Sequence, residues 1–170
     1  QISEGTDGIV PCGTTGEGAT LTAKERADVI RTVVETVRGR AQVIAVAGSN
    51  ASHEASESVK MAKELKADAA LVVTPYYNKP TQEGLYLHYM AIWEAARFPV
   101  VAYNVPGRTA VDLMPDTVAR LAKAGAIAGI KEATANMDRQ VQHAEKVGKG
   151  VIAFLSGDDF TVLPYIACGG

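Results

Sequence analysis

The stretch Ile127-Ala128-Gly129-Ile130-Lys131-Glu132-Ala133 carries the reading of the fold. It starts as an unbroken apolar run and ends on two opposite charges. A strand that is apolar at successive positions suits burial on both faces, as in a parallel sheet. Five other runs share the pattern: Gly8 to Cys12, Val43 to Ala47, Ala69 to Thr74, Val100 to Val105 and Val151 to Leu155. Their first residues lie about 24–35 apart, the length of a strand-plus-helix unit.

Helical patterns fill the intervals. Thr22-Ala23-Lys24-Glu25 has the form of a capping box, with Val29, Ile30, Val33, Val34 and Val37 on one stripe behind it. Ser52 to Leu65 repeats apolar residues at helical spacing, and Thr81 can cap a helix carrying Leu85, Tyr89 and Ile92. Pro115 suits a first turn with Gly125 as its stop, and Asn136 to Val147 ends at Gly148 in the same way. Asp159 to Cys168 is a shorter candidate. The result is strict β/α alternation, which admits a doubly wound sheet or a (β/α)8 barrel. Six strands are too few to close the barrel, and periodicity alone does not choose.

Composition narrows the function. Lys and Arg number 17 against 19 Asp and Glu, for a net charge of −2. That balance gives no electrostatic case for nucleic acid as a partner. Charged or polar residues interrupt every apolar run well short of the roughly 18 residues a membrane span needs. Two cysteines, Cys12 and Cys168, cannot build a disulfide framework, so a cytoplasmic location is expected. His53, His88 and His143 are scattered, with no metal-ligand spacing, and no metal site is expected.

In both candidate folds, ligands gather at the carboxyl ends of the strands. The unusual residues fall there: Gly13-Thr14-Thr15-Gly16-Glu17-Gly18, Thr74-Pro75-Tyr76-Tyr77-Asn78, Tyr103-Asn104-Val105-Pro106-Gly107-Arg108-Thr109, Lys131-Glu132 and Ser156-Gly157-Asp158-Asp159. Lys131 closes an apolar strand, where lysine is rarely buried without a reason. It either snorkels to the rim or is a desolvated amine, nucleophilic toward a carbonyl. Pairing with Glu132 is poor, because adjacent strand residues point to opposite faces. Tyr103 is either a core aromatic or a proton carrier beside such a lysine. Thr14 and Thr15 read as turn residues or as carboxylate ligands, and Arg108 as a surface charge or a carboxylate clamp.

Taken together and in order, these clusters resemble the 4-hydroxy-tetrahydrodipicolinate synthase (dihydrodipicolinate synthase) family, within the pyruvate-dependent class I aldolases. The resemblance runs from Gln1 to Gly170. It implies a (β/α)8 barrel of which this chain covers strands two to seven, as one partial catalytic domain over residues 1–170, truncated at both ends. The first and eighth strands and the C-terminal helices would be absent, and the isolated segment is expected to be inactive. The resemblance further implies a Schiff base between Lys131 and pyruvate, with L-aspartate 4-semialdehyde as second substrate and no separate cofactor. Tyr103, Thr14 and Tyr77 would relay protons, Tyr77 reaching into a neighbouring subunit's site. Thr15 and Gly157 would bind pyruvate, and Arg108 the carboxylate of the semialdehyde. The family suggests a homo-oligomer, a dimer of dimers. Asn50, Glu54 and Tyr76 match part of an allosteric lysine site, while Ala23 and Arg26 stand where lysine-sensitive members carry histidines, so inhibition by lysine is expected to be weak or absent.

Three alternatives remain at this stage. One is an N-acetylneuraminate lyase-like enzyme of the same superfamily. Another is a non-catalytic binding fragment. The third is a nucleotide-binding domain built on Gly13–Gly18, although that loop lacks both the dinucleotide fingerprint and the P-loop lysine.

Overall fold

The computed structural model describes residues 1–170. Six parallel strands form one sheet: β1 (Gly8–Ile9), β2 (Gln42–Val46), β3 (Ala69–Val73), β4 (Val100–Asn104), β5 (Gly129–Glu132) and β6 (Ala153–Ser156). They lie side by side in chain order. A doubly wound sheet reverses its strand order part-way, whereas consecutive order is that of a (β/α)8 barrel. The architecture is therefore part of such a barrel.

Helices α1 (Ala23–Val37), α2 (Ser52–Glu64), α3 (Gln82–Ala96), α4 (Pro106–Thr109), α5 (Pro115–Lys123), α6 (Met137–Val147) and α7 (Val162–Ala167) fill the connections. Two starts follow their sequence signals directly. Thr22 and Glu25 form the reciprocal capping box of α1, and the Thr81 side chain accepts from the Gly84 N–H at the head of α3. Such a cap is worth about 1 kcal/mol.

The core lies between the outer face of the sheet and the helices. Val72, Ala102, Ile130 and Phe154 are laterally paired across β3 to β6 and are all buried. From the helix side, Leu85, Tyr89 and Ile92 of α3 and Val118 and Leu121 of α5 pack on the same layer. The Tyr89 hydroxyl donates to the Val72 carbonyl at 2.9 Å, which ties α3 to the sheet without leaving a buried polar group unpaired.

The structure corrects several sequence expectations. Burial is one-sided on the last strand: Phe154 is buried while Ala153 and Leu155 on the concave face are exposed. The two-sided burial expected from the apolar runs holds for β3 and β4 only in part, since Val73 and Tyr103 on the concave face are half-buried. Most strands also stop short of their runs. β1 ends at Ile9, because Pro11 offers no N–H and Cys12 turns to a φ of 62°. Val105 leaves β4 to precede Pro106, which opens the four-residue α4, a helix absent from the patterns read along the sequence. Ile2–Glu4 is a single 3-10 turn, and Asp159–Cys168 splits into a 3-10 turn followed by α7.

Candidate active site

Strand register builds the centre of the site. Val73, Tyr103, Lys131 and Leu155 are cross-strand neighbours on the concave face of β3 to β6. Tyr103 and Lys131 are directly opposed, and the lysine Nζ lies 4.4 Å from the centre of the tyrosine ring. Both sit at the carboxyl ends of their strands, half-buried. The Lys131–Glu132 separation expected from strand geometry is present, for Glu132 points to the opposite, buried face.

Electrostatics prepare both groups. Burial lowers the Lys131 pKa from the ordinary lysine range, and the negative charge of Asp158 partly opposes this. Burial raises the Tyr103 pKa, with the Arg108 guanidinium pulling it down and Asp158 pushing it further up. A lysine depressed in this way carries more free amine at neutral pH, the form that attacks a carbonyl.

Gly157 follows β6 and donates its N–H to the Glu132 carbonyl at 2.7 Å. A Cβ at this position would lie 2.7 Å from the Ala133 Cβ and 3.3 Å from the Lys131 Cε. Glycine is what lets the chain pass this close to the lysine. Asp158, the next residue, anchors its loop through a pair of bonds with Ser156: its N–H donates to the Ser156 Oγ at 3.2 Å and its carbonyl accepts from the same hydroxyl at 2.9 Å. One Asp158 carboxylate oxygen is buried without a protein partner. Sequence reading had grouped Asp158 with the rim cluster but assigned it no part.

The other candidates fall on the same rim at different distances from this centre. Arg108 lies exposed in α4, close enough for its charge to act on Tyr103. Thr14 and Thr15 are exposed in the turn after β1, four strands along the sheet from β5, and neither is hydrogen-bonded to Tyr103 or Lys131. Tyr77 is 88% exposed, with a φ of 74°, and its N–H donates to the Thr109 carbonyl at 3.4 Å. Asn50 and Tyr76 are joined by the Asn50 side-chain amide donating to the Tyr76 carbonyl at 3.3 Å. Glu54 accepts from the Ser49 hydroxyl at 2.8 Å beside them.

Every one of the 170 residues matches the family model described as the dihydrodipicolinate synthetase family. The chain belongs to that family. It is 85% identical over all its residues to the 4-hydroxy-tetrahydrodipicolinate synthase of Anaeromyxobacter dehalogenans, and spans 58% of that relative's length. Among solved structures, dihydrodipicolinate synthase from Aquifex aeolicus superposes with a TM-score of 0.95 at 46% identity, over 99% of this chain and 58% of the other. A chloride-inhibited dihydrodipicolinate synthase from Acinetobacter baumannii, complexed with pyruvate, gives 0.96 at 49% identity over the same shares.

Behind the rim lies a buried polar group to which the sequence analysis gave no part. Asn104, Glu132 and Arg139 are buried, and Asp112 is partly so. The signal was available: Asn104 and Glu132 are polar residues within apolar runs, each next to a named candidate. No group of three or more His, Cys, Asp or Glu side chains is placed to hold a metal ion. No helix is long and apolar enough to cross a membrane. Two open depressions of about 380 and 570 Å³, lined around Trp93 and Phe98 and around Lys123 and Lys146, lie away from the rim.

Proposed function

We propose that residues 1–170 form the catalytic part of a 4-hydroxy-tetrahydrodipicolinate synthase. The observation that carries this is the opposition of Lys131 and Tyr103, 4.4 Å from amine to ring, on the concave rim of a family barrel. The Lys131 amine adds to the keto carbon of pyruvate. Tyr103 gives its proton to the carbinolamine hydroxyl, which leaves as water, and the phenolate so formed takes a proton from the pyruvate methyl. The resulting enamine attacks the aldehyde carbon of L-aspartate 4-semialdehyde, and Tyr103 gives the proton it took from the methyl to the alkoxide that forms. The amino group of that substrate then displaces Lys131 from the imine carbon, closing the ring and freeing the lysine.

In this reading Thr14 and Tyr77 extend the proton relay, Thr15 holds the pyruvate carboxylate, the Gly157 backbone lines the pyruvate pocket, and Arg108 holds the carboxylate of the semialdehyde. The protonated, positively charged imine of Lys131 with the keto carbon serves as electron sink, so no metal or organic cofactor enters the scheme. A dimer of dimers lets the exposed Tyr77 serve a neighbouring subunit. A cytoplasmic location agrees with a biosynthetic role. At Asn50, Glu54 and Tyr76, lysine binds weakly or not at all, since α1 offers Ala23 and Arg26 rather than histidines.

The test is a substrate comparison with an enzyme of the relatives' full length that contains these residues. Consumption of pyruvate with L-aspartate 4-semialdehyde, and no cleavage of N-acetylneuraminate, is the expected result. The reverse pattern points to the sialic acid lyase branch and rejects the proposal.

A further inference from the structure

The pair on the concave side has a counterpart on the outer side. One residue beyond Tyr103 and Lys131, Asn104 and Glu132 are again in register and point the other way, into the helical layer. Both are buried, Asn104 completely. The Asn104 amide nitrogen donates to the two Glu132 oxygens at 3.2 and 3.1 Å and to the Asp112 Oδ1 at 2.9 Å. Its carbonyl oxygen accepts the Leu113 N–H at 2.9 Å. Glu132 also accepts the Thr134 N–H at 3.0 Å. From α6, Arg139 grips Asp112 with two bonds of 3.0 and 2.8 Å.

Stability alone is a poor reason for this arrangement. Apolar side chains of similar volume often match or exceed a buried ionic set in stability. What the polar set supplies is geometry. The Asn104–Glu132 bonds run from side chain to side chain across β4 and β5, at the strand ends that carry Tyr103 and Lys131. The surrounding backbone is held at the same level, with the Ala133 N–H donating to the Asn104 carbonyl at 2.9 Å and the Gly157 N–H to the Glu132 carbonyl at 2.7 Å.

We propose that Asn104 and Glu132 are positioning residues whose cross-strand hydrogen bonds set Tyr103 against Lys131, with Asp112 and Arg139 holding Asn104 in the orientation those bonds require. This rests on the function proposed above. Tyr103 speeds the loss of water on the way to the imine, but the amount of imine at equilibrium depends only on a reachable Lys131 amine. The rate of proton transfer from the pyruvate methyl, by contrast, needs Tyr103 and the imine aligned together. Loosening the outer pair therefore lowers the proton-transfer rate per imine more than it lowers the amount of imine at equilibrium.

The measurement uses the full-length enzyme, pyruvate and deuterated water. Borohydride trapping counts imine on Lys131, and the exchange of pyruvate methyl hydrogens gives the proton-transfer rate per imine. Asn104→Ala is expected to lower the per-imine rate about tenfold or more, and the milder Glu132→Gln by a smaller factor, because it keeps one acceptor for Asn104. A purely structural role lowers the trapped amount or the melting temperature and leaves the per-imine rate unchanged, and that result overturns the proposal. Should Asn104→Ala fail to fold, Asp112→Asn at the partly exposed end of the network carries the same prediction with a smaller factor. No adduct on Lys131 in the unaltered enzyme defeats the functional reading, and the positioning role falls with it.

Discussion

Replacing Gly157 by alanine isolates one dimension of the site. The backbone there tolerates a side chain, since Gly157 is not among the residues with positive φ, so the effect is steric. The added Cβ would stand 2.7 Å from the Ala133 Cβ, 3.1 Å from the Glu132 carbonyl oxygen and 3.3 Å from the Lys131 Cε. Ordinary contact begins at 3.4 Å, so the closest neighbour must retreat by 0.7 Å, the difference between 3.4 and 2.7 Å. Overpacking of this kind costs about 1–3 kcal/mol. The Lys131 Cε, one bond from the reacting nitrogen, need give by only 0.1 Å directly, the difference between 3.4 and 3.3 Å, and the rest of its displacement comes through the Glu132–Ala133 backbone. A misplacement of a full 1 Å slows a positioned reaction by roughly 100-fold. A shift of a few tenths of an ångström is therefore expected to slow imine formation in Gly157→Ala by about 3- to 10-fold. The rate is read by mixing full-length enzyme with pyruvate and quenching with borohydride at timed intervals. Gly107→Ala, on the same rim, is the control: nothing lies within 4 Å of its added Cβ, and because the position is helical its stability should hold or rise, by up to about 1 kcal/mol. If Gly157→Ala loses stability but forms imine at the unaltered rate, Ala133 alone has yielded, and the claim that Gly157 sets the lysine's place is wrong.

Two further predictions concern pH. Because burial lowers the Lys131 pKa and Asp158 opposes that, the rate of imine formation should rise with pH through a midpoint below ordinary lysine, about 10.4. Asp158→Asn should move that midpoint lower still, and an unmoved or higher midpoint in a rate–pH profile contradicts the assignment. His88 and His143 are buried, and desolvation lowers each pKa to about 4. Both bind protons more readily unfolded than folded, so their contribution is present above about pH 6.5 and is lost as pH falls toward 4, by up to roughly 3 kcal/mol each. Urea midpoints measured between pH 7 and 4 should show that slope, and His143→Leu should flatten it; equal slopes in the two proteins exclude His143 as a source.

Much of this site can be read along the chain because its residues break local patterns. Lys131 and Tyr103 interrupt apolar strands, and the period of two already places Lys131 and Glu132 on opposite faces. The helix starts at Thr22 and Thr81 are legible because caps act within three residues. What escaped depends on contacts distant in sequence. That Tyr103 opposes Lys131 follows from the β4–β5 register, which joins residues 28 apart. The bonds of Asn104 to Glu132 and of Arg139 to Asp112 need that register and the placement of α6. The short α4 is too brief for any helical period, and its Pro106 reads equally well as a turn. The choice between an open sheet and a barrel rests on strand order, which no single strand carries.

The claim at the centre of this reading is that Lys131 is the residue that bonds pyruvate. Full-length enzyme, reduced with borohydride in the presence of pyruvate and digested for tandem mass spectrometry, tests it most directly. The expected product is a single carboxyethyl group on the Lys131 nitrogen, formed only when pyruvate is present and lost in Lys131→Arg. A modification on any other lysine, or none in an active enzyme, contradicts it.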